Sequence, residues 1–377
     1  MANQHNLPPL DNILVDESKA KNNVSTEGAP STSFVEQTLL EFGLEAKVRN
    51  VEHGPRFTRY TLALAPTTKI SAIKKVEQDL AVAFSGNLAG VVEPTPEQPQ
   101  LGLILHHHQS VSVTLGSLIT SDAFKKAAGQ LKVALGRDIA GTPAVIDITS
   151  LPHLLIGGTT GSGKSVCLNA IIASLLAFYT PDQLRCLLID LTGNELGKYE
   201  GLPHLFRPVI TQPEATLDVL SGVDSEIDRR YKAFSRQQVR DIVAYNAQTA
   251  NILPYIVVAV DNIFDLLMTA AKDVEPLVTR MAQRARAAGV HLIFTTPRTR
   301  SDAVSGSLKA NFPGRIAFQV TDRQESRLIL DANGAEDLLG VGDMLYKAPN
   351  TTALQRIQGT FVSEAELEKI IGFWRER

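Results

Sequence analysis

The stretch Gly158-Thr159-Thr160-Gly161-Ser162-Gly163-Lys164-Ser165 constrains this chain more than any other. It fits the pattern GxxxxGK[ST], and its surroundings fit as well. The apolar run Leu154-Leu155-Ile156 leads in like a short buried strand, and Val166 to Phe178 reads as a helix rich in Ala, Ile and Leu. Strand, glycine loop and helix is the context the motif requires. Glycines let backbone N–H groups converge on phosphate oxygens with no Cβ in the way. The following helix aims its positive end at the same anion. The candidate nucleotide-contacting residues are therefore the eight of the motif plus Val166 directly behind it, with Lys164 reaching the β- and γ-phosphates of ATP and Ser165 holding Mg²⁺. A glycine-rich turn that binds nothing is the alternative, and the agreement of pattern and context weighs against it.

The chain has 377 residues, enough for a large core and two domains. Apolar content of 44% and charged content of 20% are ordinary for a globular protein. With a net charge of −3, any nucleic-acid site must be a local basic patch. Cys167 and Cys186 lie in apolar runs without metal-ligand spacing and read as reduced core thiols of a cytoplasmic protein. Adjacent side chains on a strand cannot all face one metal, so His106-His107-His108 reads as a surface patch. No run is long enough for a membrane span, and no signal peptide is evident.

In chain order, residues 1–32 are polar and aperiodic and read as a disordered leader. Residues 33–109 read as a small α+β domain, with helical spacing over Phe34–Phe42 and Lys69–Phe84 and short alternating strands between and after. From 110 to 377 the pattern is α/β. Val111–Leu115, Leu131–Gly136 and Val145–Ile148 look like strands. After the glycine loop, buried strands end in Asp190 and Asp261, a third runs His291–Thr296, and a fourth runs Arg315–Val320. Helical patterns over Leu217–Phe234 and Val274–Ala288 alternate with them. Such alternation implies a mainly parallel sheet covered on both faces, with ligands outside the carboxyl ends of its strands. Asp261, 97 residues after Lys164, is the natural second carboxylate for Mg²⁺. A helix cap is its alternative use.

Longer stretches carry a family resemblance. They are LPHLLIGGTTGSGKSV at 151–166, YEGLPHL at 199–205, IDRRYKAFS at 227–235, LPYIVVAVD at 253–261, ARAAGVHLIF at 285–294, LKANFPGRIAFQV at 308–320 and ESRLILDANGAEDLLGVGDMLY at 325–346. Together the chain resembles the motor region of the FtsK/SpoIIIE family of double-stranded DNA translocases over most of 33–376. The resemblance implies a RecA-like P-loop ATPase domain preceded by the family's small alpha domain. It implies a homo-oligomer, a hexameric ring that encircles duplex DNA and moves it by hydrolysing ATP in chromosome or plasmid segregation. Arg315 and Arg327 lie in matching segments and are the candidates for catalytic arginines acting on a neighbouring subunit, where such a residue can be worth about 10³–10⁵ in rate. A structural salt bridge is the competing role for each. Lys309, Arg298, Arg300 and the Gly340-Val341-Gly342 turn are candidate pore-side elements making sequence-independent phosphate contacts. The family's membrane block and its winged-helix gamma domain have no counterpart here, so the chain is expected to lack that directional reading of DNA unless a separate DNA-orienting subunit supplies it.

Three positions depart from the family pattern. The expected Asp-Glu is Asp261-Asn262, the expected sensor glutamine is Pro297, and the lysine after the second strand is absent from Asp190-Leu191-Thr192. An amide can orient water but cannot take its proton, and losing a general base typically costs about 100- to 10,000-fold. Asp190 and Asp265 are the candidate substitutes. A hydrolysis-impaired relative, either an ATP-gated DNA-binding ring or a regulatory subunit working with an active paralogue, is therefore the second reading. A small-molecule P-loop kinase is the third, and it leaves the long matching stretches unexplained.

Overall fold

The computed structural model describes residues 7–14, 29–92, 101–107, 111–297 and 305–377. The chain divides into two compact units, one comprising Met1–Asp16, Thr114–Leu135 and Val145–Arg377, the other Glu17–Val113 and Gly136–Ala144.

The small unit is an antiparallel sheet of order β1-β2-β4-β3, formed by β1 (Ala46–His53), β2 (Phe57–Leu64), β3 (Leu88–Val92) and β4 (Leu101–His106). Period-two alternation sends Tyr60, Leu62, Leu103 and Leu105 to one face, where they meet Val35, Leu39, Ile73 and Leu80 of the helices. The helix Thr32–Glu41 starts at Ser31, whose hydroxyl accepts from Phe34 N. The single helix expected over 69–84 is two, Ile70–Lys75 and Glu77–Ala83, with Val76 leaving helical geometry between them. His107 is half-buried rather than part of a surface patch, and its Nε2 meets Thr58 Oγ1 at 2.8 Å. His108 lies outside the described residues. Among the described residues no group of three or more His, Cys, Asp or Glu side chains could hold a metal ion by itself.

The large unit is built on a mixed sheet of order β6-β5-β13-β12-β11-β7-β10-β9-β8. Its strands are β5 (Lys132–Asp138), β6 (Pro143–Asp147), β7 (His153–Gly157), β8 (Leu184–Asp190), β9 (Tyr255–Asp261), β10 (Val290–Thr296), β11 (Gly314–Phe318), β12 (Asp343–Lys347) and β13 (Leu354–Gly359). The run β11-β7-β10-β9-β8 is parallel, as expected for strands separated by helices. β12 and β13 are antiparallel, because a short turn joins them and no helix crosses back. The strand expected over Val111–Leu115 is not formed. Thr114 instead caps a helix, Leu115–Ile119, by accepting from Ser117 N, a turn that a short apolar run cannot announce. Leader residues Leu10–Ile13 form one helical turn with Ile13 and Leu14 buried, and Thr32 already starts the next helix, while residues 1–6 and 15–28 of the expected disordered leader lie outside the described residues.

Packing explains the sequence pattern. The helix Lys164–Phe178 buries all of its residues except Ser165, Val166 and Phe178, so it is apolar on every side. Trp374 of the last helix donates from its indole N–H to Leu176 O at 2.9 Å. The sheet face carrying Leu187, Ile256, Val258, Val260, Leu292 and Phe294 packs against the helices Pro213–Arg236 and Ile263–Ala285. The second of these breaks at Ala270, ahead of Pro276, whose ring removes a helical donor. The arginines of this helix pair serve packing: Arg280 binds Asp224 at 2.6 Å, Arg284 binds Asp228, and buried Arg230 donates to Glu226 and to Ala288 O.

His153, on the strand that leads into the glycine loop, is held in one neutral tautomer. Leu292 N donates to its Nδ1 at 3.0 Å, and its Nε2 is 2.9 Å from Ala282 O, so Nε2 carries the hydrogen. Burial pushes its pKa down to about 3, and burial pushes that of His291 down to about 4. Below pH of about 6.5 the unfolded chain therefore binds protons that the folded chain refuses. Stability is complete above that pH and falls as the pH drops through the window toward 4, by about 1.4 kcal/mol per pH unit for each histidine. Urea unfolding at pH 7 and at pH 5 should show a lower midpoint at pH 5. His153→Phe should be less stable at pH 7 and show a shallower pH dependence.

Candidate nucleotide site

The glycine loop runs from the carboxyl end of β7 to the helix that begins at Lys164. Gly158 (φ 147°), Gly161 (φ 78°) and Gly163 (φ 124°) adopt backbone conformations that side chains disfavour. A Cβ on Gly158 would come within 2.7 Å of Phe318 Cβ, and one on Gly163 within 3.1 Å of Gly342, whereas Gly161 faces open space. The loop is braced by the residue that follows β11: Gln319 O accepts from Thr159 N at 2.9 Å and from Thr159 Oγ1 at 3.1 Å. It is braced again by Gly342 N, which donates to Ser162 O at 3.1 Å. Ser162 Oγ donates to Thr159 O, and Lys164 Nζ donates to the same carbonyl at 2.7 Å. Thr160 is exposed, Ser165 half-buried, and Val166 exposed at the first turn of the helix. A cradle of left-handed glycines at a helix N-terminus, with a lysine folded against it, fits a polyphosphate.

Two carboxylates end neighbouring strands at the same level, since Asp190 of β8 pairs in register with Asp261 of β9. Their environments diverge. Asp190 is fully buried and accepts from Thr192 N and Oγ1, Gly193 N, Glu195 N and Leu196 N. Burial raises its pKa, but these donors, led by Leu196 N and the Thr192 hydroxyl, outweigh it and hold the carboxyl below its ordinary value. Asp261 goes the other way. Burial raises it, the Thr295 hydroxyl that donates to Oδ1 lowers it, the charges of Asp190 and Glu195 raise it, and Lys164 lowers it. The net shift is upward, as expected for a carboxylate short of cationic partners. Lys164 is depressed by burial and partly restored by Asp261. Loop lysine and strand-end aspartate thus feel each other across one site.

The two substitute bases suggested by the sequence are both engaged. Asp190 is saturated by the loop that follows it. Asp265 receives Asn262 Nδ2 on Oδ2 at 2.8 Å, while Asn262 Oδ1 accepts from Asp265 N at 3.0 Å. Asn262 is thus the cap of the helix Ile263–Ala285. Its peptide bond to Asp261 is cis. Pro297 follows β10, and Arg298 and Arg300 lie outside the described residues.

The arginines separate as well. Arg315 is buried on β11 and spends its guanidinium inside its own subunit, donating to Phe312 O, Ile329 O, Lys309 O and Asp331. That arrangement corrects the expectation of a finger reaching another subunit, since a guanidinium so engaged has no reach left. Arg327 is exposed on the helix Arg323–Leu330 and donates to Asn333 Oδ1 at 2.7 Å. The Gly340-Val341-Gly342 turn, a candidate pore-side element, sits against the glycine loop through Gly342. Sequence reasoning missed Thr295 and Gln319. Both follow or end strands adjacent to β9 or β7, and that adjacency exists only in the folded sheet.

Comparison with known proteins agrees with this architecture. Residues 114–301 match the model of the FtsK/SpoIIIE family, and residues 7–105 match that of the FtsK alpha domain. A protein named DNA translocase FtsK from Clostridium acetobutylicum is 40% identical over 377 residues, 98% of this chain and 49% of that protein. Another of the same name, from Caldanaerobacter subterraneus subsp. tengcongensis, is 40% identical over 373 residues, 98% of this chain and 52% of that protein. The chain spans about half the length of the curated relatives it matches. The solved monomer form of the pCW3 conjugation coupling protein TcpA with ATPγS superposes with a TM-score of 0.64 at 21% identity, covering 90% of this chain and 98% of that one, a likeness of fold. The fold is α/β, a mixed sheet with a glycine loop at the carboxyl end of β7, and among the described residues no helix is long and apolar enough to cross a membrane. With matches to both models in chain order and this identity across nearly its whole length, the chain belongs to the FtsK/SpoIIIE family.

Proposed function

We propose that this chain is the motor portion of an ATP-driven translocase of double-stranded DNA, acting in the cytoplasm in chromosome or plasmid segregation. The observation that carries the reading is the glycine cradle at the N-terminus of the helix Lys164–Phe178, with Lys164 folded against it and Asp261 at the carboxyl end of a strand in the same sheet. The name of the relatives, DNA translocase FtsK, supports it. In this reading Gly158 to Val166 hold ATP, with the amides of the loop on the phosphates and Lys164 on their outer end. Ser165 and Asp261 hold Mg²⁺, which neutralises charge that develops on the phosphates. A site with one or two protein oxygens completed by phosphates suits that ion.

The working form is a homo-hexameric ring around DNA, with contacts to phosphates and little to bases. Arg327, exposed and lightly held, is the arginine offered to a neighbouring subunit. Residues 33–109, which lie within the small unit, are read as the family's alpha domain, and residues 110–377 as the RecA-like motor. Asn262 gives its amide to the helix cap, so its contribution to water orientation is secondary, and the name shared by the relatives favours a working motor over an idle ring.

ATP turnover measured with and without linear duplex DNA should rise with DNA, and Lys164→Ala should abolish both turnover and nucleotide binding. Mg·ATP binding with no turnover in the presence of DNA would sink the motor reading. DNA affinity should fall with added salt by a log–log slope of about −0.9 for each phosphate contacted. Asn262→Glu breaks the cap and sets a second carboxylate beside Asp265. It should therefore lower stability by about 1 kcal/mol in thermal unfolding. In turnover assays Asn262→Glu/Asp265→Asn should exceed Asn262→Glu alone.

A further inference from the structure

Val341 has no place in the phosphate chemistry, yet it is pinned beside it. It is 77% exposed, and it is a β-branched residue at φ 49° between Gly340 at 71° and Gly342 at 86°. A β-branched residue in the left-handed region is strained, and such strain persists only where surrounding structure imposes it. Here it is imposed from several sides. Gly342 N donates to Ser162 O of the glycine loop at 3.1 Å, Gly359 N donates to Gly342 O at 2.7 Å, and Gln358 Nε2 donates to Val341 O at 2.9 Å. Asp343, fully buried, accepts from Leu339 N and from Arg356, which closes the turn at its other end. The fold thus holds an apolar side chain out into solvent next to the phosphate cradle. A second exposed apolar side chain, Val166 at 41%, starts the helix behind that cradle.

The sheet order gives the turn a direction. Asp261 ends β9, on the β10 side of β7, whereas the 340–342 turn opens into β12, on the β11 side. A triphosphate whose outer end is turned toward Asp261 has its nucleoside end toward β11 and β12. We propose that Val341 is an apolar contact for the nucleoside of the nucleotide held by Gly158–Ser165, and that this contact separates a nucleoside triphosphate from a bare polyphosphate. The inference rests on the nucleotide reading of the glycine loop and deepens it. Covering an exposed valine with a base or sugar removes apolar surface from water, a gain the phosphates cannot provide.

The test compares Mg·ATP with Mg·tripolyphosphate in calorimetric titrations of the full chain. Val341→Asn removes the apolar surface while leaving a residue that tolerates the left-handed region, so folding is spared. It should weaken Mg·ATP about tenfold and leave tripolyphosphate unchanged. Val341→Ile should keep the wild-type affinity for both. Equal ATP affinity in Val341→Asn and wild type would overturn the proposal. So would a parallel loss for both ligands, which would make the turn a brace for the loop only, or an effect confined to self-association, which would assign Val341 to a neighbouring copy. Wild-type protein that binds tripolyphosphate as tightly as ATP would leave the phosphate site standing and remove the nucleoside contact. Wild-type protein that binds neither would remove the nucleotide reading itself, and this inference with it.

Discussion

The large unit depends on β7 being hydrogen-bonded along both edges by parallel neighbours, β10 and β11. Parallel pairing in register brings the carboxyl ends of these strands to one level, and each neighbour delivers a support there. Gln319 directly follows β11 and its carbonyl accepts from Thr159, and Thr295, next to last in β10, donates its hydroxyl to Asp261. His153 at the start of β7 ties the strand to β10 and to the end of the helix Ile263–Ala285. The glycine loop is therefore placed by strands on both sides of it, and its own sequence need only supply flexibility and a lysine.

The same pairing sets two aspartates side by side and makes them do different work. Asp190 is fully buried, but the turn that follows it wraps donors around the carboxylate, which stays charged and organises residues 192–196. Asp261 has the Thr295 hydroxyl and the charge of Lys164 to offset its burial, and it also feels the charge of Asp190. In the proposed reading this half-buried carboxylate meets Mg²⁺, and a cation there offsets the desolvation that raises its pKa. Charge at the site is a balance among Lys164, Asp190, Glu195 and Asp261, and no one of these residues sets it alone.

Much of this was legible without coordinates. The glycine loop, its strand and its helix are one local unit, and the parallel strands are continuous apolar runs that end in Asp190, Asp261 and Thr296. Other residues were not legible, some because their partners lie far along the chain and some because a local cap is settled only once the segment has folded. Arg315 looks like any arginine in a matching segment until Asp331 and the carbonyls of Lys309 and Ile329 close around it. The 340–342 turn reads from sequence as a pore-side element, and only the fold lays Gly342 on Ser162. Asn262 reads as a lost acid, and only the helix behind it reveals a cap. The run Val111–Leu115 alternates like a strand, yet Thr114 finds a backbone amide to cap and the segment turns helical.

The sequence by itself determined the elements and the chemistry they carry. Periodicity and glycine spacing act over a few residues, where backbone sterics and burial decide the outcome. The tertiary structure decided which polar groups are spent and which are left to act. That choice depends on partners tens to hundreds of residues away, such as Gln319 for Thr159 and Ala282 for His153. Hydrogen bonds and desolvation are properties of an enclosed place, and that place exists only once the sheet has brought its strands together.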